Sequence, residues 1–384
     1  MLKKIILLTA MLIAAWLPAH SESYPRISGA QIFVIDKMYD GNLDEFFKGL
    51  RSEGYDTVIL RVFHNSVDRY HYGDVNSECK SGVYFKTDSA CVVRDVLGEA
   101  VKAAHRNGMS IYAWMATRTL SFLKTPDKME KNFDDGTDKD GYGFSIFNKE
   151  ARETTVRLFA DLASYPIEGI LFQDDFILRH REGASKDALA AYYNDTGIEL
   201  TENDLFGCQS GIKNTKVPGG CPDTFIPWAE WKNAGMTDFF RELKTAAMQV
   251  NPGIKFAGNV YYETPLDKDI GIAWYSQSIE SMLESGFDYL AVMGYHDQIS
   301  KELSVSVDTS IGILKNIIDS LYQTVPEKSR IMIKVQRASF YKDRKVERKD
   351  IESVCSLLEK YPEISRVTVP VNSHDDIAGL CYGK

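Results

Sequence analysis

Two adjacent carboxylates, Asp174 and Asp175, close the apolar run Gly169-Ile-Leu-Phe-Gln173. Neighbouring acids repel, so such a pair calls for a proton, a metal or a cationic ligand to offset it. Consecutive side chains diverge, so one Asp is expected to face a cleft and the other to support it. The chemistry that most often needs paired carboxylates is glycoside hydrolysis, with one group as acid and the other as nucleophile or base. Asp297 is the expected partner, with Glu263 as its rival. Trp114, Tyr261, Tyr262, Trp274, Tyr275 and Tyr295 supply flat rings that stack on sugars. Asp36, His64, Asn259, Tyr262, Glu263 and Tyr295 are candidate substrate contacts.

These residues need elements to position them, and the hydrophobic pattern provides a repeating one. Apolar runs at Gln31–Asp36, Thr57–Phe63, Met109–Met115, Gly169–Gln173, Lys255–Tyr261, Tyr289–Met293, Ile331–Gln336 and Val367–Val371 read as strands. Helical patterns fall between them, near Asn42–Gly54, Val93–Asn107, Glu150–Ala163, Trp231–Val250, Ser276–Ser285, Ile311–Tyr322 and Lys349–Lys360. Strand and helix in alternation imply parallel pairing, and continuous apolar strands imply burial on both faces. Eight units close a (β/α)8 TIM barrel, with chemistry at the C-terminal strand ends. Every candidate above sits at or just beyond such an end. The alternative, an open doubly wound sheet, lacks the GxGxxG it would carry after the first strand. The long insertion from Phe176 to Trp228 is expected to wall the cleft.

The chain has 384 residues and a net charge of −9, a balance that disfavours nucleic acid and anionic lipid. It suits a neutral or cationic substrate. Lys3 and Lys4, the apolar run Ile5–Leu17 and Ala19-His20-Ser21 read as a secretory signal peptide over residues 1–21, cut after Ser21 or Ala19. A single barrel domain is expected over 22–384, exported to the periplasm or secreted, with no stable membrane insertion. The six cysteines form three local pairs, Cys79 with Cys91, Cys208 with Cys221 and Cys355 with Cys381, which in an exported chain read as disulfides. No CxxC, GxSxG, Walker A or HExxH is present, so neither a metal nor a cofactor is expected.

The residues also carry a family likeness. Ser81-Gly-Val-Tyr-Phe-Lys86, Met109-Ser-Ile-Tyr-Ala-Trp-Met115, the Asp174-Asp175 segment with Gly183-Ala-Ser185, Trp274-Tyr-Ser-Gln-Ser278 and Ala291-Val-Met-Gly-Tyr295 resemble the C-terminal glycoside-hydrolase domains of PgaB proteins. The similarity runs from about Gly29 to Asp376. It implies a (β/α)8 barrel that cleaves partially de-N-acetylated poly-β-1,6-N-acetylglucosamine, a biofilm polysaccharide, within the chain. The family's essential acid falls on Asp174-Asp175, and a family Glu corresponds to Asp297. Gln173 stands where the family has His, and Gly294 where it has Pro. Full-length members add a metal-dependent deacetylase domain; deacetylation is not expected of this chain. The alternatives are a barrel that binds polysaccharide without turning it over, and a hydrolase of another glycan such as a galactosamine polymer.

Overall fold

The computed structural model describes residues 24–35, 37–65, 78–133, 139–206 and 223–373. Eight strands, Ser28–Ile32, Thr57–Arg61, Ser110–Met115, Gly169–Phe172, Lys255–Val260, Tyr289–Val292, Ile331–Gln336 and Ser365–Val371, are numbered here first to eighth. They pair in parallel in chain order, and the eighth returns to the first to close a barrel. Nearly every strand residue is buried. The barrel interior takes one face and the surrounding helices the other, which explains the unbroken apolar runs.

The helices dock through stripes spaced at three and four residues. The helix Leu43–Ser52 buries Leu43, Phe46, Phe47 and Leu50. Its neighbour Val96–Arg106 starts on Asp95, which accepts a hydrogen bond from the Gly98 N–H. Between the third and fifth strands, Lys149–Ala163 and the long helix Phe225–Val250 pack side by side.

The first strand lies three residues earlier than the hydrophobic pattern suggests. Ser28, Gly29 and Ala30 are small, and at Gly29 the register requires it: an added Cβ would lie 3.0 Å from Val367 on the eighth strand. Phe33 and Ile35 instead follow the strand, and Phe33 packs on Trp114 at 4.6 Å between ring centroids. Asp36 lies outside the described residues.

Two antiparallel hairpins decorate the mouth, Phe63–Asn65 with Ser81–Val83 and Met129–Asn132 with Lys139–Phe144. The sequence pattern treats both regions as loops, because strands of three to six residues with mixed polarity carry little periodic signal. The hydrophobic pattern likewise does not mark the helices Lys186–Thr196, Glu202–Phe206, Lys268–Tyr275 and His296–Leu303. Cys79 and Cys91 are bonded, with Cα atoms 5.8 Å apart. Cys355 is also in a disulfide, while Cys208, Cys221 and Cys381 lie outside the described residues.

Candidate active site

A cavity of about 830 Å³ opens at the C-terminal ends of the strands. Its floor comes from strand residues: Arg61 from the second, Trp114 from the third, Asn259 from the fifth and Lys334 from the seventh. Gln173 and Asp174 enter just after the fourth strand, Tyr261, Tyr262 and Glu263 after the fifth, and Tyr295 after the sixth. Trp274 and Tyr275 come from the end of their helix.

The acidic pair divides. Asp174 lines the cleft, and its Oδ1 is buried without a hydrogen-bond partner. Burial raises the Asp174 carboxyl above its ordinary range, and the adjacent Asp175 raises it further, while Lys334 and Arg179 oppose the shift. Asp175 points the other way and is fully buried. It accepts from the backbone N–H of Thr117 at 2.9 Å and of Thr119 at 2.8 Å, and from both hydroxyls at 2.7 Å. The Asp175 side chain thereby ties the start of the loop after the third strand to the end of the fourth.

Glu263 is the second cleft carboxyl with a buried, unpartnered oxygen among the described residues. Its Oε1 accepts from the Tyr275 hydroxyl at 2.8 Å. Burial pushes Glu263 up to about 7, against the pull of the Tyr275 hydrogen bond. Tyr275 stacks on Tyr261 with ring centroids 4.2 Å apart, and Tyr261 donates to the backbone carbonyl of Asp174 at 3.1 Å. A continuous chain of side chains therefore links the two carboxyl-bearing loops.

The arrangement can bind a ring face and present one or two acids to a polar bond. Within it, residues 35–362 match the family described as hypothetical glycosyl hydrolase family 13, GHL13. That match spans most of the chain. The protein belongs to the hypothetical glycosyl hydrolase family 13. This GHL13 chain is a glycoside hydrolase.

Its fold is that of the glycoside hydrolase domain of PgaB (BpsB) from Bordetella bronchiseptica. The two align with a TM-score of 0.72 at 18% identity, over 92% of this chain and 96% of that one. A β-galactosidase from Marinomonas ef1 aligns at 0.57 and 10% identity over 91% of this chain and 55% of that one. The poly-beta-1,6-N-acetyl-D-glucosamine N-deacetylase of Escherichia coli K12 is 25% identical over 327 residues, 80% of this chain. The match covers 44% of that relative's own length.

The remaining candidates of this GHL13 hydrolase separate by position. Trp114, Asn259, Tyr262, Glu263, Trp274 and Tyr295 line the cleft, whereas His64 and Asp297 do not. His64 is buried behind the wall, its Nδ1 2.9 Å from the Tyr84 hydroxyl. Asp297 lies in the first turn of the helix His296–Leu303 and turns away from the mouth, because it is held by Arg344 Nε at 2.6 Å and the Ser339 hydroxyl at 2.6 Å. Asp297 thereby fastens the segment that brings Phe340 and Tyr341 to the cleft.

The sequence pattern does not single out several of the lining residues. Lys334 is the one charge in the strand Ile-Met-Ile-Lys-Val-Gln336, and a lone charge on an apolar barrel strand was the available signal. Arg179 and His180 arrive on the insertion after the fourth strand, so that insertion does wall the cleft. Arg179 sits over the Tyr142 ring at 3.8 Å, and His180 packs on Trp274 at 4.3 Å. Burial, with Lys232 and two arginines nearby, lowers His180 to about 4 and keeps it neutral at pH 7. No group of three or more His, Cys, Asp or Glu among the described residues is arranged to hold a metal ion. No helix among them is long and apolar enough to cross a membrane.

Proposed function

We propose that this hydrolase is an exported enzyme that cleaves partially de-N-acetylated poly-β-1,6-N-acetylglucosamine, or a closely similar amino-sugar polymer, within the chain. The observation that carries the reading is Asp174, a cleft carboxyl whose Oδ1 has no hydrogen-bond partner, in a ring-lined cavity at the strand ends. Asp174 is the principal carboxylate in this reading, and Asp175 holds the loop that presents it. Glu263 is the partner that donates a proton to the leaving oxygen, because a carboxyl near pH 7 can carry that proton at the pH where it works. Trp274, Tyr262 and Tyr295 offer ring faces to the sugars, and Asn259 an amide. The polymer is named from the relatives: the curated one carries poly-β-1,6-N-acetylglucosamine in its name, and the Bordetella neighbour is a PgaB domain. Free glucosamine units are cationic and match the negative balance of the chain.

The test is incubation of purified protein with partly deacetylated β-1,6-linked polymer and mass analysis of the products. Short oligomers from the wild type and none from Asp174→Asn are expected. An intact polymer in both reactions would refute the reading. A panel of other glycans, including a galactosamine polymer, checks the linkage and the sugar.

A further inference from the structure

The segment Trp274-Tyr-Ser-Gln-Ser278 bends sharply at Ser276, a residue other than glycine in the left-handed region with φ 49°. Side chains avoid that region, so surrounding contacts must hold it there. The buried Ser276 hydroxyl donates to the Leu178 carbonyl at 3.0 Å, and Asn233 Nδ2 donates to the Ser276 carbonyl at 2.9 Å. The N–H groups of Ser276 and Gln277 close the helix Lys268–Tyr275 on the carbonyls of Ile272 and Gly271, at 3.0 and 3.1 Å. The bend sends the side chains on both sides of it to the loop after the fifth strand. Gln277 is buried there. Its Oε1 accepts from the Tyr261 N–H at 3.1 Å and the Thr264 hydroxyl at 3.0 Å, and its Nε2 donates to the Asn259 carbonyl at 3.0 Å. Glu263 lies between Tyr261 and Thr264, and so between two anchored residues. Tyr275, on the other side of the bend, reaches Glu263 itself through the hydrogen bond from its hydroxyl to Oε1 at 2.8 Å.

We propose that Tyr275 is the positioning residue that fixes where Glu263 keeps its proton: its hydroxyl occupies Oε1, the proton resides on Oε2, and Gln277 holds the loop that aims Oε2 at the glycosidic bond. This rests on Glu263 as the acid of the reading above and goes beyond it by naming the donating atom and the residues that select it. A protonated carboxyl has one oxygen that carries the hydrogen and one carbonyl oxygen that accepts. Burial and the Glu263 carboxyl push the Tyr275 hydroxyl far above its ordinary range, so it stays a donor at any working pH. Its partner Oε1 is therefore the carbonyl oxygen. Glu263 lines the cleft, and Oε2 is buried without a hydrogen-bond partner, so the proton there has no acceptor until a substrate oxygen arrives. The stack on Tyr261 keeps the Tyr275 ring from swinging away. The titratable groups acting on Glu263 are Tyr275 from its helix, Tyr262 from the same loop and Glu302 from the helix His296–Leu303. Of these the Tyr275 hydrogen bond acts most strongly, and it favours the carboxylate.

The experiment compares Tyr275→Phe with Tyr261→Phe. The first removes the hydroxyl on Glu263 and keeps the ring stack. The second keeps that hydroxyl and removes the one on the Asp174 backbone carbonyl. In pH profiles of kcat/KM on the polymer, Tyr275→Phe is expected to move the alkaline limb up by about one pH unit, because the carboxylate loses a donor. Tyr261→Phe is expected to leave that limb in place. Isotope-edited infrared spectra at about pH 5, where Glu263 is protonated, read the carboxyl C=O stretch without turnover, assigned with Glu263→Gln. The band should move to higher wavenumber in Tyr275→Phe, as the carbonyl oxygen loses its hydrogen bond, and stay in place in Tyr261→Phe. An unmoved limb, an unmoved band, or equal displacements in the two variants would overturn the proposal. If the wild type leaves the polymer intact, the functional reading fails. The infrared band still decides whether Tyr275 occupies Oε1.

Discussion

Asp175 grips Thr117 twice, accepting both its backbone N–H and its hydroxyl, and so spends on structure the charge that Asp174 leaves open to the cleft. Adjacent acids of one dipeptide thus hold different positions, one load on the scaffold and one group at the cavity. Asp175→Ala would orphan the Thr117 and Thr119 donors in a dry site. Leaving buried donors unmade costs about 1 to 3 kcal/mol for each group. A markedly lowered urea midpoint is expected for Asp175→Ala. Asp174→Asn should keep or raise the midpoint while activity falls by about a hundredfold to ten-thousandfold. Equal stability losses in the two variants would contradict this division.

Glu263 gives a pH dependence with a definite sign. Its folded carboxyl sits near 7 against an ordinary 4.5. The stability it lends is therefore complete below about 4.5 and is lost as pH rises through about 7. At one pKa unit to about 1.4 kcal/mol, the loss approaches roughly 3 kcal/mol. Glu263→Gln should match the wild type near pH 4 and melt higher at pH 8, by differential scanning calorimetry. The wild-type kcat/KM should fall above about pH 7, as the acid loses its proton, and the variant should lack that limb.

Asp297 makes a contrasting prediction. Bound to Arg344 and Ser339, it orders the segment that carries Phe340 and Tyr341. Asp297→Asn and Arg344→Ala should behave alike. Each is expected to raise KM by about tenfold, the worth of one or two lost hydrogen bonds, with little change in kcat. A collapse of kcat confined to Asp297→Asn would instead give Asp297 a direct part in the chemistry.

A buried ionic cluster under the insertion sets its stability. Glu182 accepts from Arg118 Nη2 at 2.7 Å and from the N–H groups of Arg179 and Tyr142 at 2.7 and 2.8 Å. Lys232 donates to the carbonyls of Arg179 and Glu182 at 2.9 and 3.0 Å. Removing the Glu182 carboxylate leaves the buried Arg118 guanidinium without its ion-pair partner, which costs about 3 to 5 kcal/mol. Glu182→Ala should lower the denaturation midpoint accordingly and raise KM as well, because Arg179 and His180 lose their support. A variant with unchanged stability would show that the cluster is not rigid.

Much of this was legible in the chain. Eight apolar runs separated by amphipathic segments imply a parallel barrel, since burial on both faces leaves its mark on consecutive residues. The rule that strand ends carry function singles out Asp174, Asn259, Glu263 and Tyr295, and all four line the cleft. The hydrophobic pattern starts the first strand three residues late, because Ser28 and Gly29 carry no hydrophobic signal, although a Cβ on Gly29 would crowd Val367. The hairpins were hidden for a related reason: three-residue strands have no period to detect.

The sequence by itself determined the barrel, the acidic pair at the fourth strand end and the rings around it, because these follow from local periodicity and from residue type. Tertiary structure alone decided which carboxyls are free. Asp174 and Asp175 are chemically identical in sequence, and so in kind is Asp297. They differ only in what other segments bring to them: Thr117 and Thr119 to Asp175, Arg344 and Ser339 to Asp297, and no hydrogen-bond partner to the Oδ1 of Asp174. Hydrogen bonds and charge pairing act through space, and the spacing along the chain does not record them.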